Sequence, residues 1–263
     1  MHISSLELGV VVLAEAVLIA LLIWKHAYRT LPTYCLYICW GLLSDVLLFW
    51  LQQSISPTAF FHWYVVQLIL DSALMFAVLV ELTWNLLRPI RSSLPKHSWV
   101  FLAALIGLAG LLLWPVAGYT LPQHLSTAGA SFFRLQQTIA ILRVVIFIAI
   151  AGFSHLLSIG WRDRELQLAT GFGLYSLVSL AATVLHAHQI VGVQYHWLDE
   201  TVALSYAGVL IYWIVSFATK EAERREFTPQ MRGFLLAAAG AARATRFTMM
   251  ESRSISSRDR NRP

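Results

Sequence analysis

The sequence has few charged residues: Asp, Glu, Lys and Arg make up 13% of its 263 positions, whereas a soluble domain carries roughly 25%. Hydrophobic residues make up 58% of the chain, which excludes an ordinary soluble domain and a disordered protein. Cys35 and Cys39 are the only cysteines, so no disulfide framework can be inferred. The low charged content and the high hydrophobic content together indicate a membrane protein.

The apolar residues are gathered in seven runs, each near the roughly 20 residues that a helix needs to cross a bilayer. Prolines and short polar segments, which end helices, lie between the runs. The sequence therefore predicts an all-α integral membrane fold, a bundle of seven transmembrane helices within residues 1–220. The predicted spans are 7–24, 33–52, 62–86, 98–117, 132–157, 167–190 and 196–218.

Lysine and arginine are distributed unevenly among the connections between the runs. The connections after the second, fourth and sixth runs contain neither residue. Those after the first, third and fifth runs contain Lys25 and Arg29, then Arg88, Arg91 and Lys96, then Arg162 and Arg164. Because basic connections stay in the cytoplasm, this alternation predicts an N-terminus outside and a C-terminus in the cytoplasm of a bacterial-type inner membrane.

The second and sixth runs share the pattern G-L-x-S-x-V-x-L, which begins at Gly41 and again at Gly173. The third and seventh runs both open with His-Trp, at His62 and His196. These matches suggest a parallel 3+1+3 repeat, a plan on which some transporters are built. The alternative is chance matching in a leucine-rich sequence.

This topology resembles that of the SWEET and PQ-loop sugar carriers, and it also resembles the rhodopsins. The motifs of these families are missing, because no proline interrupts the first three or last three spans and no lysine lies between residues 202 and 216.

A closer likeness is to uncharacterised seven-span inner-membrane proteins of acidobacterial type. It implies the architecture and the membrane location, and no activity. The segments that carry it are Val80-Glu81-Leu82, Arg134-Leu135-Gln136-Gln137, Trp161-Arg162 and Gly171-Phe172-Gly173-Leu174-Tyr175-Ser176. Glu81 itself, near the predicted cytoplasmic end of its span, is interpreted as a snorkelling surface carboxylate.

Among the polar residues of the predicted spans, five are candidates for an interior site: Glu15, Asp45, Asp71, Gln136 and Arg143. A charge at mid-bilayer costs at least ~2.5 kcal/mol, so such residues usually pair inside the bundle. We expect an interior polar network in which Arg143 pairs with Asp71 or Asp45, and Gln136 shares its helix face. Such a network could be a structural clasp, a ligand or ion site, or a proton relay. Three carboxyl groups against one arginine predict that at least one carboxyl group is protonated.

Four residues near the predicted outer surface form a weak candidate metal site: His186, His188, His196 and Glu200. Imidazole and carboxylate groups can hold Zn²⁺ or Cu²⁺. However, residues two apart on a helix do not face each other, so interfacial histidines are the favoured interpretation. The sequence predicts no catalytic residue and no cofactor.

Residues 221–263 form a basic segment, with nine arginines against five acidic residues. Its pattern predicts an interfacial helix over 229–250, with Arg232, Arg243 and Arg246 on one side facing the anionic inner leaflet, and a disordered end. The alternative is a solvated anchor. Nucleic acid is not expected as a partner, because no nucleic-acid-binding fold accompanies the charge.

Small residues at Ala169, Gly173 and Ser176 indicate close helix packing, with homodimerisation as a second use. A cytoplasmic partner of the basic segment also stays open. With no sizeable soluble domain, an enzyme is less expected than a non-enzyme. The favoured function is a receptor-like, sensory or scaffold protein. The alternative is a small-solute transporter on the parallel repeat, and a membrane-embedded metal hydrolase is third.

Overall fold

The computed structural model describes residues 5–54, 56–87, 97–119, 127–154, 163–187 and 196–219. Within these residues the chain forms seven α-helices and no β-strand. The helices are α1 (Ser5–Trp24), α2 (Pro32–Ser54), α3 (Pro57–Leu86), α4 (Ser98–Leu113), α5 (Thr127–Ser154), α6 (Arg164–Ala187) and α7 (His196–Ala218).

The all-helical fold predicted from the apolar runs is confirmed for the described residues, and each helix lies on one predicted run. The end of the fourth helix differs from the prediction. The sequence predicts a helix through residue 117, but α4 ends at Leu113 and a 3₁₀ helix follows at Val116–Gly118. Pro115 explains the break, because proline has no N–H and its ring clashes with a preceding carbonyl group.

Helix starts follow the local chemistry of the sequence. α2 and α3 each begin with a proline, Pro32 and Pro57, at the position where the missing N–H is not needed. Ser56 precedes α3, and its hydroxyl accepts the N–H of Ala59 at 3.4 Å. At the start of α6, the Asp163 carboxylate accepts the N–H of Glu165 at 3.2 Å. These side chains satisfy N–H groups that the helix itself leaves without partners.

Six helices form a closed ring in the order α1, α2, α3, α5, α6, α7, with α7 returning to α1. α4 is peripheral and packs against α3 and α5. The interior of the ring is therefore lined by every helix except α4.

Four helical segments are long and apolar enough to cross a membrane, and three shorter apolar helices accompany them in the described residues. Large apolar side chains are exposed around the bundle, for example Leu13, Phe101 and Leu204. An exposed apolar perimeter of this extent indicates a membrane protein. The four long segments are His62–Leu86, Gly129–Gly152, Arg164–Leu185 and Glu200–Ala218.

An aromatic cluster fills one end of the ring, where α2 and α6 begin and α7 ends. Tyr34 is fully buried, with ring centroids 5.5 Å from Trp213 and 6.1 Å from both Phe172 and Phe217. A Cβ atom added at Gly171 would collide with the Trp213 indole nitrogen. Glycine is therefore required for α6 to approach α7 this closely.

Candidate interior polar site

Glu15 and Tyr206 connect the first and last helices of the ring. The Tyr206 hydroxyl donates a 2.6 Å hydrogen bond to Glu15 Oε1. Glu15 is 1% exposed, and it lies where α1 packs between α2 and α7. An acid buried this deeply needs such a donor, because burial removes its hydration.

Aromatic side chains continue this contact across the interior of the helix bundle. The rings of Tyr206 on α7 and Tyr175 on α6 are 5.4 Å apart. On the other side, the Arg143 guanidinium group of α5 lies 5.7 Å from the Tyr175 ring centroid. A guanidinium group at this distance is held by the negative face of the aromatic ring.

The remaining members come from α2 and α3. Asp71 interacts electrostatically with Arg143 without a direct ion pair among the described residues. Asp45 interacts with both Asp71 and Glu15. Tyr37 lies within electrostatic range of Glu15, Asp71, Arg143 and Tyr175. We call these residues the interior polar cluster: Glu15, Tyr37, Asp45, Asp71, Arg143, Tyr175 and Tyr206.

Two buried polar atoms of the cluster, Glu15 Oε2 and Arg143 Nε, have no hydrogen-bond partner among the described residues. Such atoms are rare in folded proteins, and each requires an explanation. The cluster therefore contains an acceptor, Glu15 Oε2, and a donor, Arg143 Nε, that the described part of the chain leaves without partners.

The structure brings four of the five predicted network residues together and leaves out Gln136, which is exposed. The buried amide on α5 belongs to its neighbour Gln137, whose Nε2 donates to Thr183 Oγ1 at 3.1 Å. The prediction for Gln136 is therefore wrong: it shares a face with Arg143, but no neighbouring helix covers that face at the level of Gln136.

The three tyrosines are missing from the predicted network, which contains only acidic, amide and arginine side chains. A signal was present nonetheless. Tyr175 and Tyr206 lie near the middle of α6 and α7, whereas tyrosines in spanning helices usually lie at the ends.

Glu81 is not the snorkelling surface carboxylate that its position suggested. Its two oxygens accept the backbone N–H groups of Thr33 at 3.0 Å and Tyr34 at 2.9 Å. One turn later, Asn85 Nδ2 donates to the Thr30 carbonyl group at 2.9 Å. α3 thus caps the start of α2 and holds the α1–α2 connection.

The candidate metal site lies largely outside what the structure describes. Glu200 is exposed on α7. His188 and the side chains of His186 and His196 fall outside the described residues. Among the side chains that are described, no group of three or more potential ligands could hold a metal ion.

The basic segment and its arginines Arg232, Arg243 and Arg246 also lie outside the described residues, so the interfacial helix stays a prediction.

The two glycines of the repeated sequence pattern each lie against the helix that precedes them in the chain. A Cβ atom at Gly41 of α2 would lie 3.3 Å from Glu15 of the preceding helix, α1. A Cβ atom at Gly173 of α6 would lie 2.5 Å from Phe147 of its preceding helix, α5. Ser44 and Ser176, three residues later, are both buried. Both glycines thus lie against the preceding helix, but the approach is much closer at Gly173 than at Gly41.

Comparison with known proteins leaves this site to be judged on its own chemistry. No protein-family model, curated protein or solved structure gave a significant match to this chain.

Proposed function

We propose that this protein is a receptor-like seven-span protein of a bacterial-type inner membrane and that its interior polar cluster binds a small polar ligand. In this proposal the N-terminus lies outside and the C-terminus in the cytoplasm. The basic segment at 221–263 meets the anionic inner leaflet or a cytoplasmic partner.

The observation that carries this proposal is the composition of the cluster. Every helix of the six-helix ring contributes a polar side chain to it. A clasp between helices needs only pairs of partners, and it should leave no polar atom unsatisfied. Here Glu15 and Arg143 each keep a buried atom without a partner, which favours a site that a ligand completes.

Basic residues at one end of the bundle support the proposed orientation. Asn85 near the end of α3 contacts the α1–α2 connection, which contains the exposed Arg29. At the same end, the Arg164 guanidinium group of α6 lies 5.4 Å from the Phe217 ring near the end of α7. Cations concentrate at the cytoplasmic end of membrane bundles.

Substituted-cysteine labelling tests the proposal. Cys35 and Cys39 are first replaced by alanine, and Asp45→Cys or Val46→Cys is then introduced. Asp45 is half-buried at the cluster, whereas Val46 is 49% exposed on the perimeter, because adjacent helical residues are rotated by about 100°. A charged, membrane-impermeant methanethiosulfonate added to intact cells should modify Asp45→Cys and leave Val46→Cys unmodified. Equal lack of reaction at both positions, from either side of the membrane, would mean a sealed structural clasp.

A small-solute transporter is the second candidate, favoured by the sequence pattern shared by the segments that begin at Gly41 and Gly173. A parallel repeat places a substrate site between its halves. A transporter must open this site to both sides of the membrane. Modification of Asp45→Cys from outside in cells and also from the cytoplasmic face in inside-out vesicles would favour transport over reception.

A further inference from the structure

We infer that the ligand of the interior polar cluster is a small organic cation whose primary ammonium group binds Glu15. This inference rests on the proposed ligand site and adds the chemical class of its occupant.

The charges of the cluster are not balanced. Three carboxyl groups face one arginine, and that arginine acts on Asp71. The charged groups that act on the other two acids in the described part of the chain are themselves carboxyl groups, Asp45 on Glu15 and Asp71 on Asp45. The carboxyl groups that no arginine compensates therefore lie on the α1–α2 side of the cluster, where a cation is most stabilised.

The geometry at Glu15 shows where a donor is missing. Oε1 accepts from Tyr206, but Oε2 is buried without any partner. A proton on this carboxyl group would place a donor on Oε2 with no acceptor opposite it. A ligand donor completes the group instead, and an ammonium group carries three donors.

The surrounding rings suit an organic cation better than a metal ion. Tyr206 and Tyr175 lie beside the site with their rings 5.4 Å apart, and aromatic faces attract ammonium groups. The carboxyl groups do not converge closely enough to form a metal site among the described residues. The carbon skeleton of an amine would pack against these rings while its nitrogen binds Glu15.

Gly41 packs closely against the Glu15 carboxylate. A Cβ atom at Gly41 would approach Glu15 Oε1 to 3.3 Å, whereas a Cβ atom at Gly208 on α7 would meet nothing within 4 Å. Gly41→Ala should therefore disturb the Glu15 carboxylate, and Gly208→Ala is the matched control for adding one methyl group.

Three probes of similar shape separate charge from size: phenethylamine (cation), 2-phenylethanol (neutral) and phenylacetate (anion). The full chain in lipid nanodiscs is unfolded by heat while its tryptophan fluorescence is recorded. Phenethylamine should raise the midpoint in a saturable manner, and the other two probes should not. Glu15→Gln should weaken the apparent affinity at least tenfold, since a charge-assisted hydrogen bond is lost. Gly41→Ala should weaken it as well, and Gly208→Ala should leave it unchanged.

The comparison of probes on the unmodified chain keeps the inference testable even if Glu15→Gln does not fold. If 2-phenylethanol or phenylacetate stabilises the chain as strongly as phenethylamine, the amine inference is wrong. If no probe stabilises it, the inference is wrong too, and water is the simplest partner of Glu15. Labelling of Asp45→Cys separates this inference from the proposed function. If Asp45→Cys reacts although phenethylamine does not stabilise the chain, the ligand site is retained and only the identification of the ligand as an amine is rejected.

Discussion

Glu81 on α3 accepts the backbone N–H of Tyr34 on α2 at 2.9 Å, and it accepts the N–H of Thr33 as well. This carboxylate belongs to another helix, yet it performs the task of an N-terminal cap. The cap also positions Tyr34, whose ring is the fully buried centre of the aromatic cluster. A polar contact thus orients the start of α2 above an apolar core.

Removing this cap should destabilise the bundle. Glu81→Ala leaves two N–H groups at the helix start without their acceptor, and we expect a loss of about 1–2 kcal/mol in the free energy of unfolding. Glu81→Gln keeps one oxygen and should lose roughly half as much. Unfolding by sodium dodecyl sulfate in mixed micelles measures both. Equal stability of all three proteins would show that the cap has no energetic role.

The hydrogen bond between Tyr206 and Glu15 should be detectable by a single oxygen deletion. Tyr206→Phe keeps the ring against Tyr175 and removes the donor, so we expect a loss of about 1 kcal/mol. Tyr64→Phe is the matched control, because Tyr64 is 43% exposed on α3. Thermal unfolding of the two variants in the same detergent gives the comparison. A midpoint for Tyr206→Phe no lower than that for Tyr64→Phe would contradict the assigned contact.

Asp71 and Arg143 should be energetically coupled across α3 and α5. Asp71→Asn and Arg143→Gln each remove one charge, and each should lower the unfolding midpoint. The double variant should be less damaged than the sum of the two, by about 0.5–1.5 kcal/mol. Single variants that express and unfold like the parent chain would show that no interior network exists.

Two glycines on α6 should resist substitution. Gly171→Ala and Gly173→Ala insert a methyl group against Trp213 and Phe147, and overpacking of this kind costs about 1–3 kcal/mol. Gly152→Ala and Gly208→Ala are the controls, since a Cβ atom at either position meets nothing within 4 Å. The free energy of unfolding should fall for the first pair and stay within about 0.5 kcal/mol for the second. The reverse order would overturn the packing of α6.

The helices could be predicted because their signals are local. Apolar runs and helix-breaking residues lie next to each other in the sequence, and α7 begins and ends at the predicted residues. α4 ends early for an equally local reason: Pro115, which lies within the predicted apolar run 98–117, breaks the helix.

Contacts between helices could not be predicted in the same way. Helical periodicity places Gln136 and Arg143 on one face, but only the packed bundle shows that Gln137 is the buried amide. Glu81 is 47 positions away from Tyr34, whose N–H group it accepts. The spacing of residues in the sequence does not indicate such a contact. The charged members of the polar cluster could be predicted, because a charged residue in an apolar span is unusual. The tyrosines could not, because tyrosine is common in membrane helices.

The most direct test of the account concerns the sides of the membrane on which the two connections lie. Tyr28, after α1, is 44% exposed, and Tyr119, after α4, is 87% exposed. Each is replaced by cysteine in a chain without Cys35 and Cys39, and intact cells are treated with a membrane-impermeant maleimide. With the N-terminus outside, Tyr119→Cys should be labelled in intact cells, and Tyr28→Cys should be labelled only after the cells are opened. Labelling of Tyr28→Cys in intact cells, or of both cysteines from the same side, would contradict the seven-span orientation.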